Sequence, residues 1–392
     1  MGLTQILNLS PAEKQARGLA HTPREIAQQG QTWLETARRL RALEPRLNDV
    51  LGGLSLGTPA APGVILLGAG TSDFVGRSLA SELRRRWGTT VEVVPTTDFA
   101  THQDSLLVPN RPYVSVSFSR SGRSPESVVA LERMLEREPA APQLVVTCDA
   151  AGTMAARLAR HPRAVTLVLD DAVNDRSLAM TSSYSNMVLA GLGFAHYLEL
   201  ERFETTIGAL ARAFEAQLDP ADALAEQLAG RNFSKAYFFG SGALAGVARE
   251  SALKLLELSS GRISSGSETF LGVRHGPLSA LDGQALVVGL LSSDARVRRY
   301  EVDLLREVRQ KGLSQQLVVV AQQPEPELRA LADHVLELPL QQSLPDDFLA
   351  PLMVLFGQLL GLYGSLAQGL RPDAPSPDGV INRVVSGIEM HA

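Results

Sequence analysis

The sequence predicts an α/β protein in which one parallel-sheet unit is built twice, and three observations carry that prediction. From Gly63 onward, short β-branched runs alternate with longer amphipathic stretches, the pattern of parallel strands joined by crossover helices. A strand, a Gly-x-Gly turn and a helix recur. LLGAGTSDFVGRSLASEL at 66–83 is echoed by FFGSGALAGVARESALKL at 238–255, where Gly68, Gly70, Arg77 and Ala80 return at one constant offset as Gly240, Gly242, Arg249 and Ala252. This is a duplication and not a short-period solenoid. At 392 residues the chain is also too long for one ordinary core.

Taken in order, the elements begin with an N-terminal helical arm over 1–46. Thr22 reads as a helix cap, Pro23 as the first helical residue and Glu25 as the partner of a capping box; the helix is expected to run past Trp33 toward Arg46. The first unit, 47–215, draws its strands from VILLG (64–68), VEVV (91–94), YVSVSF (113–118), LVVTC (144–148) and AVTLVL (164–169), with amphipathic helices at 75–87 and 126–137 among the connections. A long helical pattern at 181–218 leads into the second unit, 216–392, with AYFFG (236–240), ALVVGLL (285–291), LVVVA (317–321) and HVLELPL (334–340). The most apolar stretch, 351–367, is interrupted by Gln358 and by Gly357, Gly361 and Gly364. It is shorter than the ~20 residues of a membrane span, so a buried helix is expected and no membrane partner.

Composition narrows the function classes. Apolar residues make up 45% and charged residues 20%, and 37 basic against 42 acidic side chains leave a formal charge of −5. No global positive field exists to attract a polyanion, so nucleic acid is not an expected partner. The single cysteine, Cys148, lies in the apolar run LVVTC and reads as core, and the N-terminal segment lacks the pattern of a secretory signal. A cytoplasmic location is expected.

The chemistry concentrates in a few places. Ser119, Ser121, Ser124 and Ser127 cluster with Arg120, Gly122 and Arg123 where a strand ends and Pro125 starts a helix. Free backbone amides, a positive helix end and hydroxyl donors make such a segment a phosphate cradle, whereas simple capping by Ser124 would need one serine and not a run. The second copy has SSDAR (292–296) at the corresponding place, so an anion site is expected in the first copy alone. GAGTS (68–72) directs Ser72 toward the same carboxyl edge.

In the second copy, Glu250, Lys254 and Glu257 fall on one helix face. A solvated salt-bridge face has the same spacing, but the neighbours here are apolar and Lys254 is one of only four lysines. GVRHGP (272–277) presents His275 in a loop bounded by small residues.

Cofactor motifs are incomplete. GSGALA (240–245) fits G-x-G-x-x-A, but no acidic residue is expected to end the next strand, and a P-loop would need a Gly-Lys pair that the chain lacks. His21, His102, His161, His196, His334 and His391 show no metal-ligand spacing. Neither a cofactor nor a metal is expected. A phosphate cradle, a carboxylate, a lysine and a histidine suffice for sugar-phosphate isomerisation.

At these residues the chain resembles the sugar isomerase (SIS) family, over nearly its whole length from TPREIAQQ (22–29) onward. The resemblance implies two tandem SIS domains, each a five-stranded, mainly parallel sheet with helices on both faces. SRSGRSPES (119–127) looks like the family's phosphate segment, which places Ser119, Arg120, Ser121 and Ser124 on the phosphate with Ser72 beside them. ESALKLLEL (250–258) is similar to its catalytic helix, implying Lys254 as a substrate contact and Glu257 as the proton-transferring carboxylate. RHGP (274–277) matches its histidine loop, implying that His275 opens the sugar ring and that the active unit is a homodimer with shared sites. DRSLAMTSSYS (175–185), GVRHGP and INRVV (381–385) look most like the galactosamine-6-phosphate deaminase group, also known as tagatose-6-phosphate ketose/aldose isomerases, which implies Thr181 and Ser182 at the sugar hydroxyls. The family's tail lysine has no lysine counterpart, and Arg383 stands in its place. Deamination and plain ketose/aldose isomerisation stay open as alternatives. A sugar-phosphate-sensing module would not need Glu257 and His275, and usually carries a DNA-binding segment.

Overall fold

Both sheets have one topology, and every strand pairing among the described residues is parallel. The computed structural model describes all residues except Pro377, Ser386, Ile388, His391 and Ala392. The histidine reading at His391 therefore lies outside the described residues. Strands β1 (Gly63–Gly68), β2 (Val91–Pro95), β3 (Tyr113–Phe118), β4 (Gln143–Thr147) and β5 (Ala164–Val168) lie in the order β2-β1-β3-β4-β5. Strands β6 (Lys235–Gly240), β7 (Ser264–Glu268), β8 (Ala285–Leu290), β9 (Gln316–Ala321) and β10 (His334–Glu337) repeat it as β7-β6-β8-β9-β10. Strands β1, β3 and β8 are buried along their whole length, as parallel strands covered on both faces must be.

β7 is the strand the sequence analysis missed. Its residues, SSGSE, carry no apolar run; it is a sheet edge whose side chains stay partly exposed. Its last residue, Glu268, also corrects the expectation that no acidic residue follows the Gly-x-Gly helix at a strand end. The Glu268 carboxylate accepts the Thr269 amide at 2.7 Å, and a Cβ on Gly272 would lie 2.9 Å from it, so it is turned into the loop that follows.

The arm is a chain of short helices: α1 (Leu3–Leu7), α2 (Pro11–Arg17), α3 (Thr22–Ala27), α4 (Gln29–Ala42) and α5 (Glu44–Leu51). The single long helix expected from Thr22 is broken twice, the second time just before Pro45. The capping box is not made either. Asp373 takes the amides of Ala20, His21 and Thr22 together with the Thr22 hydroxyl, and Glu25 turns to the amides of Arg176 and Ser177. A carboxylate about 350 positions away in sequence cannot be read from local spacing.

Helices α6 (Thr71–Trp87), α7 (Thr96–Leu106), α8 (Pro125–Arg137) and α9 (Thr153–Leu158) serve the first sheet. The pattern at 181–218 is two helices, α10 (Ser182–Ala195) and α11 (Leu200–Ala229). The second sheet carries α12 (Ala243–Leu258), α13 (Ala295–Gln310), α14 (Pro326–Leu331) and α15 (Asp346–Ala367). Helix α15 alone among the described residues has the length and apolarity of a membrane span, and 94% of its most apolar stretch is buried in the fold.

The chain forms two compact units. One gathers Gln31–Asn174, Ser182–Gly208 and Ile381–Ala392 around the first sheet; the other gathers Met1–Gly30, Asp175–Thr181 and Ala209–Val380 around the second. Phe239, Phe270, Val287, Leu304 and Val319 belong to the core of the second-sheet unit, and Ile65, Leu67, Phe99, Tyr113 and Met134 to that of the first.

Candidate functional site

In each unit a glycine turn sets a helix start at the carboxyl edge of the sheet. Gly70 has φ 55°, ψ −124° and Gly242 has φ 57°, ψ −125°, a conformation that favours glycine. A Cβ on Gly68 would lie 2.4 Å from the Ser72 carbonyl oxygen, and one on Gly240 would lie 2.2 Å from that of Leu244. Strand and helix can approach this closely only through glycine. In the first-sheet unit the turn puts Ser72, buried, in the first turn of α6. Because β1 and β3 are neighbours, Leu67 facing Ser117, that turn stands beside the segment after β3.

That segment, 119–124, is shaped as an anion cradle. The Ser119 hydroxyl accepts the Gly122 amide and the Ser121 hydroxyl accepts the Arg123 amide, both at 3.2 Å, which leaves each O–H proton to be donated elsewhere. Ser124 occupies the N-cap position of α8 without capping it; its hydroxyl donates to Ser127 at 2.7 Å. The first-turn amides of α8 are thus not met by a cap side chain. Gly122 has φ 58°, and a Cβ there would lie 3.1 Å from Thr147 Oγ1. Arg120 is buried, with Nη2 donating to the Arg383 carbonyl and Nη1 left without a hydrogen-bond partner among the described residues. The Arg383 guanidinium in turn donates to Asn174 at 2.7 Å. Arg123 is exposed and pairs with Asp149, whose carboxyl it holds below the usual range.

The corresponding segment of the second-sheet unit is closed by the chain's own carboxylates. Asp346 accepts the Ser292 hydroxyl and the Ser293 amide, each at 2.6 Å, and Glu301 accepts the Ser292 amide at 2.8 Å. Burial pushes Glu301 up to about 7 despite hydrogen bonds from Ser292 and Ser241. No local signal in SSDAR announces Asp346, which arrives from the start of α15.

Helix α12 of the same unit gathers the acid–base residues. Lys254 Nζ lies 2.6 Å from Glu257 Oε2 and 3.3 Å from Glu250 Oε1. The side chains of Lys254 and Glu250 are fully buried, while that of Glu257 is 23% exposed. Burial alone would push the ammonium down, but the two carboxylates outweigh it and hold its pKa above the ordinary lysine value. Lys254 stays a cation, and Glu257 is the member of the set open to a ligand. The histidine loop is rooted by Phe270 and Val273 in the core and by Arg274, which meets Glu307 at 2.7 Å; His275 itself is exposed.

Segment 175–181 belongs to the second-sheet unit. The Thr181 amide and hydroxyl donate to Asp175 at 2.9 and 3.3 Å. The Ser177 hydroxyl donates to Glu25 at 2.5 Å. Burial and the Asp175 charge push Glu25 up to about 7, against the hydrogen bonds of residues 176 and 177. Ser182, next in sequence, opens α10, and its carbonyl accepts the Asn186 side-chain Nδ2 at 2.8 Å. Glu25, Asp175 and the carboxylate pair Glu301–Asp346 were not found by sequence reasoning.

Comparison with known proteins places these features in a family. A family model described as SIS domain matches residues 60–197. The AgaS protein of Streptomyces coelicolor is 39% identical over 377 residues, covering 95% of each chain. An Escherichia coli protein named D-galactosamine-6-phosphate deaminase AgaS is 34% identical over 371 residues, covering 94% of this chain and 95% of that protein. The crystal structure of tagatose-6-phosphate ketose/aldose isomerase from Escherichia coli superposes with a TM-score of 0.85 at 32% identity, covering 95% of this chain and 96% of that one.

Proposed function

This chain belongs to the SIS domain family, and on that premise we propose that it is a sugar-phosphate isomerase/deaminase that converts galactosamine 6-phosphate and water to tagatose 6-phosphate and ammonia. The observation that carries the reading is the 2.6 Å contact between a buried, permanently charged Lys254 and a partly exposed Glu257. Ser119, Ser121, Ser124 and Arg120, with Ser72, hold the phosphate, and Thr181 and Ser182 address the sugar hydroxyls. His275 assists ring opening, which exposes the aldehyde and acidifies the C2 proton. Glu257 removes that proton and returns it to C1 through an enaminol, whose developing oxyanion Lys254 stabilises, with Arg383 as a second cation. The product is a ketimine at C2. Water adds to it, and the C–N bond breaks to give the ketone and ammonia.

A 2-hydroxy substrate run through the same groups gives plain ketose/aldose isomerisation, the reading favoured by the name of the superposed Escherichia coli structure. We assign the enzyme to the cytoplasm as a homodimer with shared sites. Exposed apolar side chains on the acid–base helix and at the start of the histidine loop, Leu256 at 43% and Leu271 at 52%, support a covering second copy. Ammonia release across a panel of hexosamine 6-phosphates, with ketose formation followed in parallel, tests the reaction. Ketose from a hydroxy-aldose phosphate with no ammonia from any amino sugar phosphate would refute the deaminase reading. Glu257→Gln should lower kcat by ~10² to 10⁴, and mixing it with His275→Ala under proven subunit exchange should restore part of the activity if sites are shared.

A further inference from the structure

Helix α15 carries one polar side chain between Phe348 and Leu362, Gln358, and it is fully buried. Its Nε2 donates to the Thr181 carbonyl at 3.2 Å, and its Oε1 accepts Gln29 Nε2 at 2.7 Å. Gln29 Nε2 also donates to the Ile26 carbonyl at 2.9 Å. Thr181 is thus gripped at its carbonyl by Gln358 and at its amide and hydroxyl by Asp175.

One residue before Gln358, α15 meets the acid–base helix. A Cβ on Gly357 would lie 2.3 Å from Ser251 Oγ, and one on Gly361 would lie 3.0 Å from the Lys254 carbonyl and 2.8 Å from Leu258. The backbones of α12 and α15 are therefore in register through glycine. A single rigid helix holds the backbone of Lys254 on one side and Thr181 on another. An aliphatic side chain would fill position 358 in this apolar helix, so the amide is a departure that filling space does not call for.

We propose that Gln358 is a positioning residue: through α15 it fixes segment 175–181 relative to the acid–base helix, with Gln29 of the arm locking its amide orientation, and thereby sets how tightly the sugar is bound. The inference rests on the sugar-phosphate reading of Thr181. Gln358→Met keeps the length and removes both hydrogen bonds; the KM for the sugar phosphate should rise about tenfold or more with kcat within about threefold. Gln29→Met, which leaves the bond to Thr181 in place, should act in the same direction and more weakly, and it decides the matter if Gln358→Met does not fold. A lowered melting temperature with unchanged KM in both variants would reduce Gln358 to a packing role and overturn the proposal. If the wild-type protein turns over no sugar phosphate, the reaction reading fails, and hydrogen exchange of the substrate-free proteins then decides. Faster exchange at residues 176–182 than in wild type, with 250–258 unchanged, supports the clamp, and equal exchange at 176–182 refutes it.

Discussion

Replacing Lys254 by Met separates a compensated buried charge from ordinary packing, because Met fills similar space without the ammonium. The two carboxylates left behind fare differently. Glu257, with 23% of its side chain exposed, can be hydrated; Glu250, fully buried, cannot. Removing one partner of a buried ion pair costs ~3–5 kcal/mol, and at ~2–4 °C per kcal/mol for a unit of roughly 200 residues that is a melting temperature lower by ~6–20 °C. The loss should depend on pH. Without its cation, fully buried Glu250 carries the cost of an ionised carboxylate out of water, and that cost grows as pH rises. The deficit is therefore largest near pH 8 and shrinks toward pH 5. Glu250→Gln in the same chain removes the buried negative charge and should recover most of the loss. Melting curves of wild type, both single variants and the double variant from pH 5 to 8 form the cycle. A loss below ~1 kcal/mol, or a double variant no more stable than Lys254→Met, would refute the argument that Lys254 compensates a buried charge.

Ser119→Ala with Ser121→Ala should raise KM for the sugar phosphate tenfold or more, ~1.4 kcal/mol, and an unchanged KM sinks the cradle assignment. Glu301, pushed up to about 7 from 4.5 by burial, stabilises the fold fully only below pH 4.5 and loses that contribution as pH rises through 7, by up to ~3 kcal/mol. Glu301→Gln should flatten that part of the pH–stability curve, whereas parallel curves would contradict the shift. Gly357→Ala drives a methyl to 2.4 Å from Ser251 Cβ; the ~1–3 kcal/mol of overpacking should outweigh alanine's ~1 kcal/mol helix preference. Ser251→Gly in the same chain should restore part of the stability, and a more stable Gly357→Ala single variant would be the wrong sign.

The legibility of this chain divides along the range of the interactions involved. The repeat was readable because it rests on local necessity: Gly68, Gly70, Gly240 and Gly242 sit where a side chain would collide or a positive φ is required, so they mark both turns in the sequence. Nine of the ten strands among the described residues carry apolar runs, and those inside the two covered sheets are largely buried. β7, SSGSE, lacks one although the other sheet edges, β2, β5 and β10, keep theirs; its side chains stay partly exposed. The arm helices misled because Thr22 and Glu25 have local partners in principle and distant ones in fact, Asp373 and residues 176–177. Lys254 was visible as a rare lysine among apolar neighbours with Glu250 and Glu257 on its helix face, but the depth of its burial comes with the close approach of α15, through glycines that the sequence showed only as interruptions.

The two copies keep their backbones and divide on side chains. Gly70 and Gly242 agree within about 2° in φ and ψ, so each duplicate still brings a helix start to the carboxyl edge of its sheet, the arrangement that suits an anion. After β3 that opportunity is left open by Ser124, which does not cap α8, and by Nη1 of Arg120, which has no hydrogen-bond partner among the described residues. After β8 it is taken up internally: Asp294 caps α13, and Asp346 and Glu301 receive the hydroxyl and amides of Ser292 and Ser293. A carboxylate is the chain's nearest equivalent of a phosphate oxygen pair, and supplying one from within satisfies the donors while repelling a second anion. That closure satisfies Ser292 and Ser293 within the fold, where the serines of the first copy keep their protons free to donate. The Gly-x-Gly helix of that copy instead carries Glu250, Lys254 and Glu257 as a charged set.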